Sequence, residues 1–399
     1  MFPRTRRLDG AESVERLPSS QKCVFHEGED DAAGHENVRR LMGLPTQPFF
    51  GDSREIPLEK HSNTRDESLQ NSMDNYQISM DTRLLWDADG RRECLQKMMR
   101  IAEENAVIPR SLYCSGVQVY DWQLRGEGAF AYVYRDFYDG KAVAVKVSKQ
   151  VIGKRRETWK QWIQTALLWR QLAHPNILQC YGVNNELQID RYSCISMVFP
   201  WIPNGDLRHF IEDKVPFRDK DTFPLNSLKD VARGLQYLHE HNPPIVHADI
   251  RGASVLVKQD MTCCISGFEL SFCTEFTLTS HGGDVPGTIR FMAPEVLSPP
   301  HDENFEDLGR EIYDTPARDT YAFGCMIVEV YTAQDPFFWL RTSAQVTRAV
   351  CAQLSEPWRT KPTGITEALW KIARSCWRAD PKARPRIESV YNSLCSITE

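Results

Sequence analysis

The sequence predicts an α+β protein of two lobes, a small β-rich one followed by a larger α-helical one, with an N-terminal extension that carries no core of its own. Two observations carry this. From Val117 to about residue 150 the chain alternates apolar and polar residues between glycine-containing turns. From about 155, and almost wholly from 224, apolar residues recur at helical spacing. Strands first and helices afterwards place the elements in segregated layers rather than in alternating βαβ units.

The extension comes first. Residues 1–80 are rich in Ser, Asn, Asp, Glu and Arg and show no sustained period. Such a stretch buries too little apolar surface to offset its ordering entropy, so it reads as a largely disordered tail. Within it, "LMGLPTQPFFG" at 41–51 stands out through Leu41, Leu44, Phe49 and Phe50 as a candidate docking segment. Residues 81–116 read as a helical extension. Cys94, Met98, Ile101 and Ala102 fall on one helical face, and Pro109 ends the helix. The β-rich lobe follows over 117–203. In "GVQVYDWQLRGEGAFAYVYRDFYDGKAVAVKVS", Asp139-Gly140 between two alternating runs is a hairpin signal. The helical lobe occupies 204–399, after short strands near 177–182 and 193–199.

Composition narrows the function classes. The chain has 399 residues, 41% hydrophobic and 26% charged, with a formal net charge of −6. That balance argues against nucleic acid or an anionic membrane as partner. No run approaches the ~18 apolar residues of a membrane helix. The opening "MFPRTRRLDGAESVERLPSS" lacks the apolar core of a secretory signal. The 12 cysteines have neither CxxC nor zinc spacing and read as reduced thiols of an intracellular, cytoplasmic protein.

Two motifs in the β-rich lobe carry chemistry. "GEGAFAYV" supplies Gly126 and Gly128, with Ala131 where a third glycine could stand. Lying between two strands, it is not a dinucleotide turn, but a glycine-lined hairpin can expose backbone N–H groups to phosphates. "VAVKV" puts Lys146 inside an apolar run, where a charge needs a partner.

Together these resemble the N-lobe of protein kinases, and the resemblance accumulates over 117–399. "HPNI" and "YGV" look like the segment after the N-lobe helix, and "FPWIPNGDL" like the interlobe hinge with Phe199 as gatekeeper. "ARGLQYLHEHNPPIVHADIRGASVLV" is similar to the helix and catalytic loop of the C-lobe. "GTIRFMAPE", "DTYAFG" and "RADPKARP" resemble the later landmarks in the same order. The wording is most similar to a fungal branch of the tyrosine kinase-like group, with Arg251 and Thr288 in the serine/threonine pattern. The resemblance implies the bilobal protein kinase fold. It implies an adenine pocket for ATP or ADP lined by Val133, Ala144 and Leu256, with the Pro200 carbonyl and the Ile202 N–H at the hinge. It also implies a buried Glu295–Arg384 pair, and Asp319 as the carboxylate that holds the catalytic loop.

The catalytic positions depart from the family. Asp249 and Lys146 are retained. Ala248 replaces an arginine, and Ser254 stands where an asparagine ligates metal. In "ISGFEL", Gly267 occupies the magnesium aspartate's position and Glu269 a glycine's. Thr165 stands where the N-lobe helix supplies the glutamate that holds the lysine. Glu157, eight positions upstream, is ~12 Å away along a helix, and Gln164 is neutral and faces aside. Phosphoryl transfer rests on positioning and on metal and cationic charge. Three departures at one site therefore imply a pseudokinase that binds nucleotide weakly, needs Mg²⁺ little, and acts on a protein partner, an active kinase among the candidates. The alternative is a slow serine/threonine kinase in which Glu269 serves as substitute metal ligand and Gln164 or Glu157 orients Lys146. A third class is another phosphate or nucleotidyl transfer in the same cleft. An acidic insertion, 298–319, is a further candidate for partner contact.

Overall fold

A computed structural model describes residues 64–82, 88–117, 124–128, 131–149, 155–189, 192–213, 222–273, 288–297, 315–352 and 355–397. The segment 41–51 and most of the acidic insertion lie outside these.

The N-lobe is a five-stranded sheet. Strands β1 (Leu124–Glu127), β2 (Ala131–Tyr138), β3 (Lys141–Ser148), β4 (Gly182–Asn184) and β7 (Ser196–Pro200) are ordered β1-β2-β3-β7-β4. The short β5 (Gln188–Ile189) and β6 (Tyr192–Ser193) pair beside it. The β2–β3 hairpin turns on Asp139 and Gly140, both at positive φ (49° and 70°), the conformation a two-residue hairpin of this twist requires. Its register places Val133 opposite Lys146 and Tyr134 opposite Val145. Opposite residues share a face, so the sheet sorts itself. Tyr132, Tyr134, Val143, Val145 and Val147 form one small core with Val198. Ala131, Ala144, Met197 and Phe199 face the main core.

Helix α3 (Arg155–Arg170) packs beneath that second face and buries Trp162, Ile163, Leu167 and Trp169. Helix α2 (Ala88–Asn105) lies against it, and α1 (Thr64–Asp81) packs on α2 in turn. In α2, Cys94, Met98 and Ala102 are buried, while Ile101 is half-buried. The structure corrects the tail boundary: residues 64–80 are helical, with Met73, Gln77 and Met80 buried. The order comes from tertiary contact. The Gln171 side-chain amide donates to Gln77 Oε1 at 2.9 Å, and Asp74 takes both the Arg110 backbone N–H and its guanidinium.

The C-lobe is helical. It contains α4 (Leu207–Asp213), α5 (Phe223–His239), α6 (Pro294–Leu297), α7 (Ala317–Thr332), α8 (Ser343–Cys351), α9 (Glu367–Cys376) and α10 (Ile387–Cys395). Two small pairings join β8 (Ile245–Val246) with β11 (Phe272–Cys273), and β9 (Val255–Val257) with β10 (Cys263–Ile265). Helix α7 is buried nearly throughout, from Asp319 to Val330. The bidentate pair Arg384–Glu295 (2.6 and 2.7 Å) is buried and ties the segment before α10 to α6. The cysteines among the described residues are free thiols. No helix among the described residues is long and apolar enough to cross a membrane.

Candidate functional site

The candidate site lies between the lobes, where β3, α3 and the loops around β8–β10 converge. Its frame is an aromatic column. Phe199 on β7 sits 4.5 Å from Trp169 on α3, Trp169 sits 4.5 Å from Phe268, and Phe268 sits 4.8 Å from His247. All four are nearly or fully buried. The column passes from the N-lobe sheet into the loop that carries Asp249.

That loop is held from below. Asp319 at the start of α7 accepts the backbone N–H groups of His247 and Ala248, each at 2.8 Å, and contacts His239 Nε2 at 3.0 Å. Burial opposes charge on Asp319, but the His239 contact and the loop N–H groups hold its carboxyl below the usual range. This is the role expected of it. Ala248 is at φ 68°, a left-handed geometry that costs about 1–2 kcal/mol for a non-glycine residue, and the Asp319 hydrogen bonds offset it. His247 is buried, which pushes its pKa down, and its Nε2 lies 2.9 Å from the Ser266 carbonyl.

Asp249 is half-buried, and its Oδ1 pairs with Arg251 Nε at 3.1 Å. It lines a small cavity with Thr288. The Thr288 hydroxyl is buried and has no hydrogen-bond partner among the described residues. Ser254 is engaged by the loop itself. Its Oγ lies 2.5 Å from the Asp249 carbonyl and 2.9 Å from that of Arg251, and accepts the Arg251 N–H at 3.1 Å. One hydroxyl has one proton and two lone pairs, so little capacity remains for a metal.

Gly267 ends β10 in the left-handed region, φ 83° and ψ 46°. The chain then makes a 3₁₀ turn over Phe268–Leu270 with both ends buried. The turn points Glu269 at Lys146, and the two form a close ion pair with side chains 10% and 20% exposed. Lys146 is therefore not left unpartnered by Thr165. Thr165 lines the space beside the pair, together with Gln161, Trp162 and Met197. From α3, Gln161 Nε2 reaches the Glu269 backbone carbonyl at 3.5 Å. Reading the sequence missed Gln161, although its spacing of four from Thr165 places it on the same helical face. Gln164 is buried.

Val133, Ala144, Lys146, Pro200, Ile202 and Leu256 are all half-buried. Val133 and Lys146 share the sheet face that looks into the cleft, and Ala144 pairs with the gatekeeper Phe199. Leu256 closes the cleft from β9, bridged to Asp206 just after the hinge. Gly126 lies in β1, and the N–H of Gly128 donates to the Ala131 carbonyl at 2.8 Å, closing the base of the glycine hairpin.

The residues do not fit a magnesium site. Position 267 has no side chain, the Ser254 hydroxyl is occupied, and the Glu269 carboxylate is turned to Lys146. Among the described residues, no group of three or more His, Cys, Asp or Glu side chains is placed to hold a metal ion.

The fold and this site define a protein kinase-like domain. Residues 122–394 match the family of protein tyrosine and serine/threonine kinases, and the chain belongs to that family. Its similar relatives include the serine/threonine-protein kinase CTR1 of Arabidopsis thaliana, 29% identical over 67% of this chain and 30% of CTR1. The serine/threonine/tyrosine-protein kinase HT1 of the same plant is 28% identical over 67% of this chain and 63% of HT1. The dual specificity protein kinase shkC of Dictyostelium discoideum is 28% identical over 68% of this chain and 50% of shkC. The match thus spans less than two thirds of each of these relatives.

Proposed function

We propose that this chain is a nucleotide-binding pseudokinase of the tyrosine kinase-like group, which transfers phosphate negligibly and acts by binding a protein partner, an active kinase being the class its fold suits. The observation that carries the reading is the state of the metal positions. Gly267 offers no ligand, Ser254 is consumed by its own loop, and Glu269 is committed to Lys146. Metal and cationic stabilisation of the transferring phosphoryl group supplies several kcal/mol, so losing each major element costs roughly a thousand-fold or more in rate. The retained cleft face and the paired Lys146 support adenine-nucleotide binding without a metal. Asp249, still seated on the Asp319-held loop, would position a hydroxyl, but no bound metal ion would help Lys146 neutralise the transferring phosphoryl group.

The test is transfer of radiolabelled γ-phosphate from ATP to a generic protein substrate, with excess Mg²⁺ or Mn²⁺. The expected outcome is no transfer above that of an Asp249→Asn variant. Transfer that Asp249→Asn abolishes would overturn the reading. Transfer that Glu269→Gln also abolishes while leaving nucleotide affinity intact would make Glu269 the substitute metal ligand.

A further inference from the structure

We infer that Glu269 is the positioning residue for Lys146, doing from the loop after β10 what a kinase's N-lobe helix does with its own glutamate. Four observations converge. First, Lys146 and Glu269 are in direct ionic contact, both largely shielded from solvent. A shielded ammonium needs such a partner, because desolvation of an unpaired charge is costly. Second, the described α3 side chains that line the space beside the pair are neutral: Gln161, Trp162 and Thr165. Third, the polar contact that α3 makes there goes to the Glu269 backbone, so the helix supports the glutamate rather than the lysine. Fourth, the turn is fixed on both sides. Phe268 is locked between Trp169 and His247, Leu270 is buried, and the Ser271 hydroxyl donates to the His247 carbonyl at 2.9 Å.

A lysine ammonium has three donors and no acceptor. One carboxylate partner fixes its direction and leaves donors for an anion in the cleft. The ligand class this suits is the free phosphate chain of a nucleotide without its divalent cation. Placing the partner on the loop has a structural consequence. In this chain the lysine's carboxylate partner enters from the C-lobe side, and α3 acts on the lysine through the turn it braces. The position next to Gly267 that could have held metal has been given over to the lysine.

This inference rests on the nucleotide reading for its ligand but not for the pair itself, and the experiment separates the two. Lys146→Met, Glu269→Gln and the double variant are unfolded thermally without nucleotide. Each single change is expected to lower the melting temperature, and the double to lower it by less than the sum, because the second change removes a charge already stranded. Additive effects would overturn the pairing, whatever nucleotide does. Affinity for a fluorescent ATP analogue is then measured in EDTA. Glu269→Gln is expected to weaken it about tenfold, equivalent to ~1.4 kcal/mol. Adding Gln161→Glu, which returns a carboxylate to α3, is expected to recover most of the loss, which no merely structural role of Glu269 would allow. Unchanged affinity in Glu269→Gln beside a loss in Lys146→Met would overturn the positioning role. A native protein that ignores the analogue while the cycle shows coupling would refute the nucleotide reading and leave the pair standing.

Discussion

Gly267 keeps the backbone of its turn while offering no side-chain ligand. At φ 83° it holds a conformation that suits glycine and costs other residues about 1–2 kcal/mol, less for aspartate. A Cβ there would meet Ser254 Cβ at 3.4 Å and Glu269 Oε2 at 3.8 Å, so an aspartate fits sterically. It would, however, set a second carboxylate beside Glu269. Gly267→Asp is expected to fold, to lose about 1 kcal/mol in denaturant unfolding, and to gain no Mg²⁺-dependent transfer. Together with Ser254→Asn it is expected to gain Mg²⁺-dependent ATP affinity, readable by calorimetry. Thr165→Glu is not needed, because Lys146 already has its carboxylate. Glu329 on α7 gives a second test. It accepts the Gly252 N–H at 2.8 Å and lies 3.5 Å from Arg208, and burial raises its pKa to about 7. The folded state therefore holds a proton that the unfolded chain has released by pH 7. Its contribution is full at low pH and is lost as pH rises from about 4.5 through 7. The Glu329→Gln protein should lack this part of the decline, and subtracting its unfolding free energies from those of the native chain at each pH isolates it. The identities of Gly267, Ser254, Thr165 and Glu269 were all legible in the sequence. What Glu269 touches was not, because a turn's direction depends on the burial of Phe268 and Leu270 on either side.

At the scale of elements, α1 and α2 are the part of the molecule that the kinase pattern does not supply. Helix α2 packs on α3 and α1 on α2, and Met73, Met98 and Ala102 enter the same core as Trp162 and Leu167. Helix α2 was readable from its apolar spacing. Helix α1 was not, since its buried face is Met73, Tyr76, Gln77 and Met80 within an otherwise polar stretch. Too few apolar residues repeat there to signal a helix, and isolated helices of this length are marginal in water without tertiary support. Among the described side chains α3 makes no ionic bond to Lys146, so packing holds it in place, with α2 against it and α1 behind α2. Met98→Ala, a truncation at a fully buried site, should cost about 2–5 kcal/mol through lost burial and a residual cavity. Ile78→Ala in α1, at a residue 59% exposed, is the matched control and should stay within ~0.5 kcal/mol. If the Met98 site unfolded separately from the kinase lobes, proteolysis would clip the extension while the rest of the domain melted at its native temperature. A single cooperative transition is the expected result.

For the whole molecule, the two lobes were legible from the order of strands and helices, and the cleft from landmarks that follow one another along the chain. The aromatic column Phe199–Trp169–Phe268–His247 was not, because its members are far apart in sequence and meet only when the lobes close on each other. That column and the Asp319 hydrogen bonds brace the cleft through the protein's own contacts. A cleft assembled in advance needs no metal to organise it, so nucleotide should bind with little ordering cost and little dependence on Mg²⁺. A ligand present at a hundred times its dissociation constant stabilises the native state by about 2.7 kcal/mol. For a domain of this size that is a rise in melting temperature of several degrees, on the order of 2–4 °C per kcal/mol. Millimolar ATP in EDTA should therefore raise the melting temperature, ADP should do so comparably, and adding Mg²⁺ should change either shift by less than the shift itself. Lys146→Met should abolish most of it. An ATP shift that appears only with Mg²⁺ would mean that a metal ligand is recruited when nucleotide enters. Asp249 would then be the first carboxylate to examine, since its partner Arg251 is the more easily displaced of the two paired bases in the cleft.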